Sequence, residues 1–454
     1  MWLKNLNAHY LLFGFLASVT IIADRLSNHM LKGTIILQVN LDRVINDIET
    51  LATFTATPGN GVTKSSYSHE DKLAKEYLKN EMEKIGLKVW QDEFSTLFGR
   101  REGKNPDAPV IMIGSHYDSV VNGGAFDGVA GVVAALEILR VFQENNIEND
   151  YPIEIIAMNA EEGETFGPGT GVSNSRALVG TLTEKELDTV KNRHGLTKRE
   201  AMKAYGLVPD LAKAKREKGS IKNFIELHIE QGPVLDNHQI DVGLVEYLPG
   251  IGRYKVKFHG SLEDSTAPMA SRKDAMVAAS KFVLAVNQIV QSLGTGITGT
   301  VGEFEISPNS HQFVPDYVQA SVEIRTFDKK ILDEINLRDR FMTEIKSIQK
   351  ETNVDIELIE MARIGYSNPT PPSVMSKENV EIMKRICDEL HYKHTIINNG
   401  TGHDAMIMTD FAPTNLIYVP SKDGISHHPD EWTDYEDLKK GIDVMMHLVY
   451  EICK

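Results

Sequence analysis

The stretch "VIMIGSHYDSVVNGGAFDG" at residues 110–128 opens on four apolar residues, places His116 and Asp118 directly after them, and reaches Asp127 through a loop rich in glycine. An apolar run of that length, bounded by turn formers, is the signature of a buried strand, and the apolar segment 128–142 after it reads as a helix. A structural loop needs turn formers but has little use for a histidine and two acids bracketing them. The question is therefore what else in the chain could meet His116 and Asp127.

The same rhythm recurs. "SHEDKLAKEYLKNEMEKIG" at 68–86 has Ser68 and Asp71 in capping-box spacing and Gly86 as a stop, which predicts a helix. "IEIIAMN" at 153–159, "FIELHIE" at 224–230, "TII" at 395–397 and "NLIYV" at 415–419 read as strands, with helices at 376–390 and 434–452. Alternating strands and helices imply an α/β domain whose mainly parallel sheet lies between helices. The middle of the chain differs: strand 252–260, helix 270–292, strands 299–306 and 317–325, helix 331–350 and strand 354–360. That β-α-β-β-α-β order is the split unit of ferredoxin-like folds. The expected organisation is a discontinuous catalytic domain, 33–249 and 363–454, carrying an inserted α+β lid at 250–362. The "SNPTPP" stretch at 367–372 serves as linker. Ligands are then expected at the strand carboxyl ends facing the lid.

Composition bounds the chemistry. Of 454 residues, 41% are hydrophobic and 25% charged, which suits a soluble globular protein of two or three domains. The formal net charge of -16 argues against nucleic acid as a partner, because phosphate binding needs a basic surface. Two cysteines, Cys387 and Cys453, each in an apolar helical pattern, leave neither a disulfide framework nor a Cys-rich zinc site. Any metal must be held by histidine and carboxylate. A cytoplasmic location is the expectation. The apolar run "YLLFGFLASVTII" at 10–22 leaves export or anchoring open, so residues 1–32 are treated as an extension outside the fold.

Four places at strand ends carry the chemistry. His116, Asp118 and Asp127 follow strand 110–113, Glu161 and Glu162 follow strand 153–159, His228 lies on strand 224–230, and His427 follows strand 415–419. One such residue alone would be unremarked; together they supply enough nitrogen and oxygen ligands for two divalent ions about 3.5–4 Å apart. Asp127 is the natural bridge, since a carboxylate can offer one oxygen to each ion. Asp118 is placed to accept the second ring N–H of His116. Glu161 is then a spare carboxylate beside a ligand. Next to a metal-bound water it could take a proton and return it to a leaving nitrogen, the equipment for hydrolysing a carbonyl–nitrogen bond.

"GSHYDSV", "NGGAFDG", "NAEEGETFG", "ELHIEQGPVLD", "GTGHDA" and "GISHHPDE", with "TPGNGVTKSSYSHED" at 57–71, resemble the motifs of the di-metal amidases of hydantoinase/carbamoylase type. That family includes N-carbamoyl-L-amino acid hydrolases, allantoate amidohydrolases and β-ureidopropionases, within the aminoacylase and carboxypeptidase superfamily. The resemblance runs from about residue 40 to the C-terminus. It implies His116, Asp127, Glu162, His228 and His427 as ligands of two zinc or manganese ions, with cobalt a further option. It also implies Glu161 as general base and a homodimer formed through the lid. Gln231 matches a glutamine that contacts substrate, and Arg325 in "ASVEIRTFD" matches an arginine that clamps the substrate carboxylate. His403 in "GTGHDA" is placed at the pocket wall with no assigned role.

The departures cluster around the substrate. Where the family reads His-Ala-Gly-Thr-Thr-Pro-Met, this chain reads "HGSLEDSTAPM" at 259–269, which sets Glu263 at the place of a histidine that helps hold the developing oxyanion. A carboxylate there would repel that oxyanion. The asparagine expected after "SPNSH" is Gln312, and the arginine of the Glu-Glu motif is replaced around Thr165. Either the substrate differs, pairing a donor with Glu263, or His259 or His311 substitutes after a local shift. The expected activity is hydrolysis of a linear amide or ureido bond in a small carboxylate-bearing molecule. An N-carbamoyl amino acid leads, and allantoate-like or N-acyl amino acid substrates are the alternatives. A metal-binding sensor without turnover would not need Glu161.

Overall fold

The computed structural model describes residues 37–167, 169–328, 336–361, 370–398 and 401–454. The apolar run at 10–22, the expected boundary at 362/363 and the first turn of the helix expected from 331 lie outside these residues.

The strand within 110–128 is longer than its apolar run. It spans Val110–His116 and is buried throughout. We number it β3 of an eight-stranded sheet: β1 Lys88–Gln91, β2 Leu97–Arg101, β3, β4 Ile153–Met158, β5 Ile221–Ile229, β6 Val242–Leu244, β7 His394–Ile396 and β8 Thr414–Val419. The spatial order is β1-β2-β4-β3-β5-β8-β6-β7. The four central strands β4, β3, β5 and β8 run parallel. Antiparallel pairs flank them: β1 with β2, β2 with β4, and β8 with β6. The sheet is thus mixed, parallel where it matters for the site, because four parallel strands end at one edge. His116 pairs with Met158, and His228 with Tyr418, so the ends are also level.

The burial of β5 differs from what its alternating pattern suggests. Its alternation of Glu226 and His228 with Ile225, Leu227 and Ile229 suggests one solvent face, yet every one of these residues is buried. The polar face of β5 is turned into the protein. Helix Val129–Glu144 is buried continuously from Val129 to Phe142, as an all-round apolar helix must be. The two charged residues within that buried span, Glu137 and Arg140, are paired. Arg43 donates through Nε and Nη2 to Glu137, at 3.0 and 2.8 Å, and Arg140 bonds Asp47 and Glu81. These pairs tie it to helices Leu41–Thr53 and His69–Lys84, so the buried charges are not orphaned. The second of these helices starts as expected: the Ser68 side chain accepts from the Asp71 N–H.

The middle of the chain forms a separate antiparallel sheet. Strand Gly250–His259 lies between Tyr317–Thr326 and Asp355–Glu360, and Tyr317–Thr326 also pairs with Ile297–Thr300 and Phe304–Ser307. One expected strand, 299–306, is therefore two. The Glu303 N–H leaves the ladder and donates to Ser321 Oγ instead. Helices Ala275–Ser292 and Leu337–Thr352 cover one face, where Tyr254, Val256, Phe258, Val318, Val322 and Ile324 form a core. The opposite face carries Arg253, Glu323 and Arg325, all partly exposed. No helix among the described residues is long and apolar enough to cross a membrane.

Candidate metal centre

The level carboxyl ends of the parallel strands bring six of the expected side chains together. Asp127 sits at the centre with its two oxygens turned to different neighbours. Oδ1 lies 3.0 Å from Nε2 of His228 and 3.6 Å from Nε2 of His116, while Oδ2 lies 2.9 Å from Nε2 of His427. Nε2 of His427 is in turn 3.5 Å from Glu162 Oε2, and Glu161 Oε2 is 3.8 Å from His116 Nε2. Ligand-capable atoms of His116, Asp127 and His228 form one tight group, and those of Asp127, Glu162 and His427 form another. A single carboxylate shared between two three-residue groups is the donor set of a paired metal site.

Two glycines in the opening stretch are required by what touches them. A Cβ on Gly128, whose φ is +67°, would lie 2.4–2.5 Å from atoms of the His116 ring, and one on Gly124 would lie 2.1 Å from Glu431 Oε1. The loop is bare because an imidazole and a carboxylate fill the space that side chains would need. His427 itself adopts a φ of +57° and Gln231 a φ of +56°. Such left-handed residues cost free energy and persist where surrounding contacts impose them.

The two buried histidines have settled tautomers. Nδ1 of His228 is 2.9 Å from the Ile229 carbonyl and Nδ1 of His116 is 3.1 Å from the Asp118 carbonyl, so each donates there and turns Nε2 inward as an acceptor. Asp118 meets His116 through its backbone carbonyl, and its Oδ1 lies 3.5 Å from the same ring nitrogen. The Asp118 carboxylate has another task. It accepts from the N–H groups of Glu161 and Glu162 at 3.2 and 3.4 Å and from Ser66 Oγ at 3.1 Å, fixing the turn that carries both glutamates.

The charge balance of the cluster calls for a cation. Burial, followed by repulsion from nearby acids, pushes Glu161 and Glu162 well above the ordinary carboxylate range. Burial disfavours the charged form of His116, but Glu161, Asp118 and Asp127 outweigh it and raise its pKa. Asp127 is the converse: burial would raise it, and three histidines hold it well below its usual value. Glu161, Glu162 and His116 thus favour their protonated forms because negative charge is crowded around Asp127. Glu162 Oε1 and His228 Nε2 are also buried without a hydrogen-bond partner, although the latter is 3.0 Å from Asp127, an ion-pair distance without hydrogen-bond geometry. Buried polar atoms of this kind need an explanation, and a metal in each of the two groups would supply it. The residues present fit a pair of divalent ions.

Comparison with known proteins agrees. Residues 112–451 match the family described as peptidase family M20/M25/M40. The chain belongs to peptidase family M20/M25/M40. Among its curated relatives is the N-carbamoyl-L-amino-acid amidohydrolase of Paenarthrobacter aurescens, 36% identical over 410 residues, covering 90% of this chain and 97% of the relative. The allantoate amidohydrolase of Escherichia coli K12 is 30% identical over 404 residues, covering 88% and 95%. Among solved structures, an amidase of the hydantoinase/carbamoylase family from Burkholderia multivorans superposes with a TM-score of 0.81 at 29% identity, over 92% of this chain and 99% of that one. Within the M20/M25/M40 family the chain is a hydrolase of the hydantoinase/carbamoylase kind.

The remaining expected M20 site residues divide. Gln231 donates from Nε2 to Asp127 Oδ2 and Ser426 Oγ, both at 3.1 Å. His403 is buried with its ring 4.3 Å from that of His228, and Nε2 shares hydrogen bonds with Tyr418 OH at 2.8 Å and Thr401 Oγ1 at 3.0 Å. Burial, then the neighbouring His228 charge, hold its pKa well below the usual histidine value. Gln231, Arg325 and His403 line one cavity of about 560 Å³ with the six central residues. Gln312 does not: it is exposed on a hairpin beside Glu263, whose backbone pairs with Val314. His259 and His311 are exposed as well and, like Glu263, do not line the cavity.

Other residues were not singled out by sequence. Buried Glu226 accepts from Ser115 Oγ at 2.6 Å and from the Ala405 N–H at 3.0 Å. Arg253 lines the cavity beside Arg325. Glu431 contacts the loops of two ligands at once. The period-two pattern of "FIELHIE" held the signal for Glu226, since it shares a strand face with His228.

Proposed function

We propose that the protein hydrolyses N-carbamoyl-L-amino acids at the bond between the carbamoyl carbon and the amino acid nitrogen. Two divalent cations, zinc or manganese, would be held by His116, Asp127 and His228 on one side and by Asp127, Glu162 and His427 on the other. The observation that carries this reading is the division of the two Asp127 oxygens between those groups. When bound, such a pair polarises a carbonyl and lowers the pKa of a coordinated water towards about 7.

Glu161 does the proton work in this reading. Its carboxylate lies 3.8 Å from His116 Nε2 and lines the cavity, so it is placed to take a proton from water as the new C–O bond forms. When the C–N bond breaks, the electron pair stays on nitrogen and Glu161 delivers the proton there. The products are the free amino acid and carbamic acid, which falls to carbon dioxide and ammonia. Asp118 keeps Glu161 in place by accepting from the Glu161 backbone N–H.

The far wall supports a carboxylate-bearing, partly apolar substrate. Glu323 holds Arg253 and Arg325 at their Nε atoms, each at 2.7 Å, and both guanidinium groups line the cavity. Guanidinium is suited to gripping a carboxylate. Around them stand Ile251, Met361, Pro371, Pro372, Met406 and Ile407. The apolar part of this lining suits an amino acid with an apolar side chain, and the second ureido group of allantoate would lose hydrogen bonds against it.

A homodimer through the 250–362 layer, acting as a lid, belongs to the same reading. It is supported by exposed Val277 and Leu284 on its outer helix and by the position of Gln312, Glu263, His259 and His311 outside this chain's own cavity. The experiment is a substrate comparison on metal-loaded protein, with N-carbamoyl-L-methionine against allantoate. Methionine release should exceed allantoate turnover at least about tenfold in kcat/KM, one to two apolar contacts' worth. Preference for allantoate would reject the carbamoyl reading. Glu161→Gln should retain both metals while kcat falls by about 10²- to 10⁴-fold.

A further inference from the structure

The sequence "GISHHPDE" ends on a residue to which nothing above gives a task. Glu431 is 5% exposed, and both of its carboxylate oxygens are engaged. Oε1 accepts from the N–H groups of Phe126 and Asp127, each at 3.0 Å. Oε2 accepts from Ser426 Oγ at 3.0 Å and from the His427 N–H at 3.3 Å. One carboxylate therefore grips the backbone of the shared aspartate and the backbone of the exposed histidine. Those two residues are separated by 300 positions in the chain and have no strand pairing to hold them in register.

The need for such a grip differs between the two ligand groups. His116 and His228 stand on adjacent hydrogen-bonded strands, and each has Nδ1 committed to a backbone carbonyl. His427 stands on a loop, its side chain is 47% exposed, and its backbone is in the left-handed region. No strand pairing fixes its backbone, which its own loop holds through Glu431. The glycine at 124 shows that room is kept for the grip, because a Cβ there would lie 2.1–2.4 Å from Oε1, Cδ and Cβ of Glu431.

We propose that Glu431 is a positioning residue that fixes His427 against Asp127, and so builds the Asp127, Glu162 and His427 half of the centre selectively. The inference rests on the two-metal reading given above. Four donors converge on Glu431, so only a carboxylate satisfies them all. An amide would turn its NH₂ group towards an N–H group and lose that bond, leaving a buried donor unpaired.

The test is stepwise titration of metal-free protein with zinc, followed calorimetrically, with the absorption spectrum of the cobalt-loaded protein as second readout. Wild-type protein should take up two equivalents. Glu431→Gln should weaken one of them about 10- to 100-fold, the range for losing an outer hydrogen-bond partner, and leave the other within about threefold. The cobalt spectrum should change in the same half only, and excess zinc should restore kcat. Gly124→Ala, which touches no ligand, should reproduce the selective loss by displacing the carboxylate, and it decides the matter if Glu431→Gln does not fold. Two unchanged equivalents in both variants would overturn the proposal, as would equal weakening of both equivalents with a lowered melting temperature. Wild-type protein taking up fewer than two equivalents would sink the two-metal reading itself, and the grip with it.

Discussion

The floor of the cavity and its far wall are built on different principles. On the floor, His116 and His228 are 1% exposed, each Nδ1 committed to a backbone carbonyl at or just past the end of strands that pair in parallel. On the wall, Arg253 and Arg325 project from the open face of an antiparallel sheet with about a third of each side chain exposed, held by one carboxylate, Glu323. The floor is rigid because each orienting bond is also part of the main sheet or its loops. On the wall, side-chain ion pairs to Glu323 are among the contacts that place the two arginines. Chemistry common to many substrates belongs on the first kind of surface, and discrimination between substrates on the second.

Asp127→Ala should break that contrast most severely. Both three-residue groups lose their common member, so the variant should retain neither metal by mass spectrometric metal analysis, and activity should fall by about 10⁴-fold or more. Retention of both metals would show that the two groups do not share Asp127. Secondary structure should persist, because Asp127 contributes no bond to the main sheet.

Arg325→Ala tests the other surface. Losing a charge-assisted contact to a substrate carboxylate should raise KM by about 10- to 100-fold and leave kcat nearly unchanged, with both metals kept. A matched fall in kcat instead would place Arg325 among the groups that act only in the transition state. Because Glu323 lies between the two guanidinium groups, Glu323→Gln should raise KM less, by releasing both rather than removing one.

The same contrast governs what could be read from the chain. Residues of the floor were legible because each follows or ends a short apolar run: His116 after "VIMI", Glu161 and Glu162 after "IEIIAM", His427 after "NLIYV". Parallel strands place such positions at one edge, so local reading was enough. Glu431 was not legible as a partner of Asp127, because a contact across 304 positions leaves no periodic trace. The antiparallel attachment of β2 and β6 escaped for a related reason: strands of three to five residues carry too little pattern to set direction. On the wall, Arg325 lines the cavity, whereas Gln312 and Glu263 stand away from it.

That displacement is the smallest effect to test and the one that sharpens the comparison. If the wall is completed by a second copy of the chain, Gln312→Ala should lower activity by about tenfold, the loss of one neutral hydrogen bond to substrate. Chains carrying Glu161→Gln are inactive in their own site but still offer an intact Gln312 to a partner. Mixing and re-annealing the two variants in equal amounts puts half of the dimers in mixed form, each with one complete site. Activity should therefore rise to about a quarter of wild type, above the average of the separate variants, because symmetric dimers exchange wall residues reciprocally. A mixture that merely averages its components would confine each site to one chain, and Gln312 would then have no substrate to meet.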